Sequence, residues 1–175
     1  MARSMTAHQA SRHSEFMLIR GNRDLSKIWE TQANSAGSKY PNSLSQISMF
    51  VLLDVLGSDN PTIPSYLTIT HWAYKNMANL ENRMRQLNLL ETSPLSTFLP
   101  WSNETTSQVD VTGDHVPFMD RGVPFLHLLP SPPPSNRYTA ENNGANLDLS
   151  TVKDWAKIVT GFALEWLDMM EVWPE

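Results

Sequence analysis

A chain of 175 residues is long enough for a domain with a substantial core, and 41% hydrophobic against 18% charged residues is an ordinary globular balance. A formal net charge of -5 argues against nucleic acid or an anionic membrane as a partner, since both call for clustered Lys and Arg. No apolar run reaches the ~18 residues of a membrane-spanning helix, and the lack of cysteine excludes disulfides and thiolate metal ligands.

Residues 1–20 are polar and aperiodic, hold Arg3, Arg12 and Arg20, and lack the apolar core of a secretory signal, so they predict a poorly ordered tail ahead of one domain over 21–175. Asn22 to Ala36 predicts a short helix with Leu25, Ile28 and Trp29 on one face. A loop follows over 36–43. Ile47 to Leu56 is a nearly continuous apolar run ended by Gly57, the pattern of a strand covered on both faces. After a turn-rich loop over 58–64, Thr70 to Leu90 predicts a long helix. Its core stripe is Ala73, Met77, Leu80, Met84 and Leu87, with Asn76, Glu81 and Arg85 on the polar side.

Residues 93–112 read as irregular, with room for one short strand. Pro124 to Leu129 is the second buried strand, and the proline-rich 130–135 can be neither helix nor central strand. Leu149 to Trp173 predicts a second long helix, capped by Asp148 or Ser150, with Val152, Trp155, Val159, Phe162, Trp166 and Met169 in its core stripe. Strands interleaved with amphipathic helices define an α/β layered class. Two strands are thin for an independent sheet, which points to part of a larger fold.

Three residues stand out as candidates for chemistry. Asp54 closes the first strand, where α/β folds place their sites, though a cap or an ion pair would also explain it. His127 lies inside an apolar strand, on the opposite face from Leu126 and Leu128. A buried imidazole needs a partner, which a backbone carbonyl could equally supply. Asp114 precedes His115, as an acid–base pair, as metal ligands, or as the cap of a short helix with Pro117 in its first turn. His8 and His13 have no defined metal geometry, and His71 is expected to face solvent at a helix start. Asn103-Glu104-Thr105 fits the N-glycosylation pattern.

Several ordered blocks carry a family resemblance. They are Val51-Leu52-Leu53-Asp54-Val55-Leu56-Gly57 with Asn60-Pro61-Thr62, then Asp114-His115-Val116-Pro117-Phe118 and Arg121-Gly122-Val123-Pro124. Leu126-His127-Leu128 with Pro130-Ser131-Pro132, and Asn146-Leu147-Asp148, complete the set. Over about 46–170, and weakly over 18–30, the chain resembles the glutaminyl-peptide cyclotransferases, zinc enzymes of the M28 peptidase type. The resemblance implies part of a three-layer α/β/α sandwich around a mixed sheet. It also implies a zinc held by an Asp, a Glu and a His, with a second Glu moving the proton as an N-terminal glutamine cyclises to pyroglutamate and ammonia leaves. Asp54 would match the carboxylate partnering that Glu, His127 the strand histidine, and Asp114 a third member of the same pocket.

The departures cluster at the metal. Nothing before Gly21 matches the zinc-binding Asp or the Glu-Glu pair. The family's Trp-His-Thr triplet reads Arg137-Tyr138-Thr139, so Tyr138 stands at the histidine ligand position. Pro133 stands where the family has Phe, and Gly113 replaces an Asp. The expectation is therefore a glutaminyl-cyclase-like chain that binds no zinc and is inactive alone, through divergence, truncation or a gene model lacking the upstream half. Its partners would be peptide or protein N-termini, with no nucleic acid, no membrane and a monomeric state. The resemblance implies the secretory pathway or the extracellular space, although this chain shows no signal peptide. An M28 aminopeptidase-like hydrolase and a non-catalytic peptide-binding module are the alternatives.

Overall fold

Two four-residue strands, β1 (Phe50–Leu53) and β2 (Phe125–Leu128), form a two-stranded sheet. The Phe50 amide donates to the Pro124 carbonyl at 2.8 Å and the Asp54 amide to the Leu128 carbonyl at 3.0 Å, so the register advances in one direction and the pair is parallel. The structure, a computed structural model, describes residues 21–93, 95, 97–106, 113–137 and 139–169. The predicted tail with His8 and His13, and Tyr138, lie outside the described residues.

The apolar run over 47–56 contributes only four residues to the sheet. A 3-10 turn (Leu44–Gln46) precedes it, and Val55 at φ +50° ends it, since a β-branched residue in the left-handed region cannot extend a strand. All four residues of β2 are buried. Those of β1 are half-buried, with Leu53 48% exposed, so the expected cover on both faces holds for β2 and not for β1.

Helices α1 (21–31), α2 (His71–Gln86), α3 (Val116–Met119) and α4 (Leu149–Trp166) complete the α/β architecture. The described residues fall into two compact units, one of 21–50 with 113–125, the other of 51–106 with 126–169. In the first unit, Phe118, Leu44 and Val123 form a buried cluster on which Trp29, Ile47 and Phe50 pack. Trp29 meets the Phe118 ring edge-on at 5.8 Å. Leu25 and Ile28 are exposed, so of the predicted face on α1 only Trp29 is packed.

In the second unit, α2 and α4 pack together. Ala73, Met77 and Leu80 are buried as the stripe predicts, but Leu87 is exposed because the helix has already ended. Asn88 at φ +56° turns the chain, and the Leu89 amide closes back onto the Met84 carbonyl at 2.9 Å, a Schellman arrangement. Asp148 caps α4 by accepting from the Thr151 amide at 2.7 Å, as expected.

The buried face of α4 is Thr151, Asp154, Trp155, Ile158, Gly161 and Phe162, rotated from the predicted stripe. Gly161 explains the rotation. A Cβ there would lie 2.7 Å from Met84 Cε and 3.1 Å from Leu80 Cδ2, so the helices approach closely at this point. Trp166, predicted as core, is 36% exposed and stacks on the exposed Trp72. The predicted helix end over 170–173 lies outside the described residues.

Two buried carboxylates fix the irregular segment between the helices. Glu81, expected on the polar side, is fully buried. It accepts from the Phe98 and Leu99 amides at 2.8 Å each and pairs with Arg85 at 2.7 Å. Asp154 accepts from the Glu91 amide at 2.7 Å, the Thr92 amide at 2.8 Å and the Thr92 hydroxyl at 2.6 Å. Helical position alone puts neither residue inside; the loop amides that need acceptors do.

Candidate functional site

The sheet brings Asp54 and His127 together. Asp54 is the first residue after β1, and its amide is bonded to the carbonyl that follows His127. His127 is the third residue of β2 and points away from Leu126 and Leu128. The His127 Nε2 lies 3.5 Å from Asp54 Oδ2, an ion-pair distance when the ring is protonated. The His127 side chain is buried and that of Asp54 partly open to solvent.

Arg137 completes the cluster. Its Nη2 donates to the same Asp54 Oδ2 at 2.6 Å, a short charge-assisted bond between two side chains that are each mostly buried. The segment that carries it is held by its own turns. The Arg137 amide donates to the Pro134 carbonyl at 3.1 Å, and Asn142 Nδ2 donates to the Arg137 carbonyl at 2.9 Å. Upstream, the Ser131 amide donates to the Thr62 carbonyl at 2.8 Å.

Tyr66 forms one wall. Its ring lies 5.9 Å from the His127 ring, and its hydroxyl donates to the Leu129 carbonyl at 2.8 Å. Burial pushes the Tyr66 phenol above its ordinary range, partly offset by a hydrogen bond with the Ser131 side chain and by the nearby Arg137. The phenol is therefore a neutral hydrogen-bonding group at neutral pH. Together these residues make a cluster in which one carboxylate oxygen is approached by both a guanidinium and an imidazole.

Asp114 belongs to the other compact unit and is exposed. It does not cap α3: the N-cap is His115, which makes no side-chain cap bond, although Pro117 does sit in the first turn. His115 is buried and stacks face to face on Phe125, with ring centroids 3.9 Å apart. His71 is half-buried with Nδ1 2.8 Å from Ser65 Oγ, so it is not the solvent-facing residue that its place at a helix start suggested.

Among the described residues no group of three or more His, Asp or Glu side chains is placed to hold a metal. The Asp54 carboxylate carries a guanidinium, whose charge would repel a dication at the same oxygen. A separate cleft of about 490 Å³, lined by Leu53, Leu56, Leu147, Val152 and Val159 among others, offers no titratable group.

Sequence reasoning missed Tyr66, which lies in an unpatterned loop and gives no signal. Arg137 was legible as a departure from the family triplet, but its bond to a residue 83 positions away was not.

A parallel strand pair with an acid and a histidine at its carboxyl end, together with four helices among the described residues, defines an α/β protein. Residues 30–163 match Peptidase family M28, and the chain belongs to that family, whose members are generally zinc-dependent. It is 34% identical over 149 residues to a glutaminyl-peptide cyclotransferase of Boiga irregularis, a match that takes in 85% of this chain and 40% of that protein. It is 34% identical over 155 residues to the glutaminyl-peptide cyclotransferase of Drosophila melanogaster, covering 85% and 41%. The crystal structure of Macrostomum lignano glutaminyl cyclase superposes with a TM-score of 0.74 at 26% identity, covering 88% of this chain and 49% of that one. The chain thus spans about 40% of the length of the curated relatives it matches.

Proposed function

We propose that this chain is a glutaminyl-cyclase-like polypeptide, corresponding to the carboxy-terminal part of a three-layer α/β/α fold with a mixed sheet, that does not cyclise substrates on its own. Its cleft takes peptide or protein N-termini without turning them over. One observation carries this reading: the cation on Asp54 is the guanidinium of Arg137, 2.6 Å away, and among the described residues no three His, Asp or Glu side chains come together as a metal site. Tyr138 at the expected histidine position supports it, because a neutral phenol is a poor zinc ligand beside imidazole. The net charge of -5 favours a cationic N-terminus over nucleic acid or an anionic membrane. The secretory pathway or extracellular space, by family resemblance, and a monomeric state complete the proposal. A hydrolase with a zinc-activated water would need more ligands than the described residues bring together.

The test uses the purified 175-residue chain. After dialysis, elemental analysis should find zinc far below one equivalent. A peptide with N-terminal glutamine should release no ammonia, yet should shift the NMR signals of Asp54 and His127. The change Tyr138→His should not restore turnover, because one imidazole cannot hold the ion without carboxylate partners. Stoichiometric zinc with ammonia release would overturn the reading.

A further inference from the structure

We infer that Arg137 is a built-in counter-cation: it latches the proline-rich segment 130–137 across the ends of the strands and masks Asp54 from cationic ligands. The geometry is specific to this pair. Arg137 Nη2 lies 2.6 Å from Asp54 Oδ2, the same oxygen that His127 Nε2 approaches at 3.5 Å. Both members are about three-quarters to four-fifths buried, with 22% and 23% side-chain exposure, so solvent screens the bond only partly.

The latch joins two parts of the chain, each of which has its own backbone anchors. Asp54 is fixed by the β-ladder through its amide bond to Leu128. Arg137 sits at the end of a segment anchored at Ser131 and stitched by local turns at Pro134 and Asn142. Between those anchors, prolines 132, 133 and 134 supply no amide donors, so the segment cannot borrow a ladder to stay in place. The charge-assisted contact at its far end ties the segment to the end of β1.

Masking follows from the same contact. An N-terminal ammonium or any compact cation entering the pocket would seek the Asp54 carboxylate, and the guanidinium already holds one of its oxygens. This second half of the inference rests on the proposal that the cleft takes peptide N-termini; the latch itself does not.

Hydrogen–deuterium exchange on the full chain tests the latch. Arg137→Gln and Asp54→Asn should each speed exchange of the residue-137 amide about ten-fold or more, while the amides of α4 keep their protection. Reversing the pair, Asp54→Arg with Arg137→Asp, should bring the residue-137 amide back to within about three-fold of wild type, which a general loss of packing would not allow. Unchanged exchange in both single variants, or a reversed pair as loose as the singles, would overturn the latch. Masking is read by titrating each protein with glutaminyl-alaninamide, followed by NMR shifts. Arg137→Gln should bind at least ten-fold more tightly than wild type, and Arg137→Gln combined with Asp54→Asn should lose that gain. A loosened segment with no gain in affinity would overturn masking. No binding by any variant would instead overturn the N-terminus reading, and masking with it, while the exchange data still decide the latch.

Discussion

Asp154 should be worth more to stability than any other side-chain carboxylate on α4, and the structure says why. It is fully buried and accepts three hydrogen bonds, two from backbone amides and one from a hydroxyl, at 2.6–2.8 Å. Hydrogen bonds to a charged acceptor contribute about 1.5–3 kcal/mol each, and donors left without an acceptor add a desolvation cost. The donors belong to Glu91 and Thr92, which water can partly reach, so values at the low end apply. Asp154→Ala should then cost about 3–5 kcal/mol, a large share of the roughly 5–15 kcal/mol of a typical domain. Asp154→Asn keeps one acceptor oxygen for the two Thr92 donors but turns its amide group toward the Glu91 amide, and should cost about 1.5–3 kcal/mol.

The pH dependence adds an independent check. Burial works against the Asp154 charge, but the bonds from Thr92 and Glu91, with Lys157 nearby, outweigh it and hold the carboxyl below its usual range. A carboxyl whose folded pKa is depressed contributes stability above its unfolded value, about 3.9, and loses it as pH falls through the lower folded value. Urea melts at pH 7 and at several points below pH 4 should show the gap between wild type and Asp154→Asn shrinking as acid is added. A loss under about 0.5 kcal/mol at pH 7, or a gap that widens in acid, would refute the account.

Three further outcomes follow from the same packing. Trp155, buried and stacked on Phe98 with centroids 5.3 Å apart, should lose about 3–5 kcal/mol on truncation to Ala, whereas the more exposed Trp166 should lose about 1 kcal/mol, both read by denaturant melts. Asn88→Ala should cost about 1 kcal/mol because its φ of +56° strains an alanine, while Asn88→Gly should be neutral or slightly stabilising in the same assay. Glu81→Ala should expose the segment around Phe98 and Leu99, whose amides it accepts, to limited proteolysis well before α2 and α4 open.

Much of the scaffold was legible because it obeys local rules. Continuous apolar runs marked both strands, a four-and-three stripe marked α2, and Asp148 announced the start of α4. What periodicity misjudged was set by partners far along the chain. Glu81 sits at a polar register position, yet loop amides from Phe98 and Leu99 draw it inside. The buried face of α4 turns toward Gly161 because only a glycine lets α2 come so near, and a hydropathy stripe gives glycine little weight. Likewise, a strand pattern cannot foresee that Val55 leaves the extended region and cuts β1 short.

The candidate site divides along the same line, and this bears on how Asp54 and His127 are to be read. Both ride on paired strands, and their 3.5 Å approach is fixed by the ladder, since the Asp54 amide bonds the carbonyl next to His127. A chain that keeps this strand pair to fold keeps the acid and the histidine side by side, whether or not any reaction depends on them. Their proximity is therefore weak support for catalysis. The segment after β2 is under no such constraint, because its prolines keep it out of any ladder. There the chain puts Arg137 and Tyr138 where the family triplet has Trp and His. The residue that sets this pairing apart is thus Arg137, which no ladder places and whose guanidinium holds the Asp54 carboxylate at 2.6 Å.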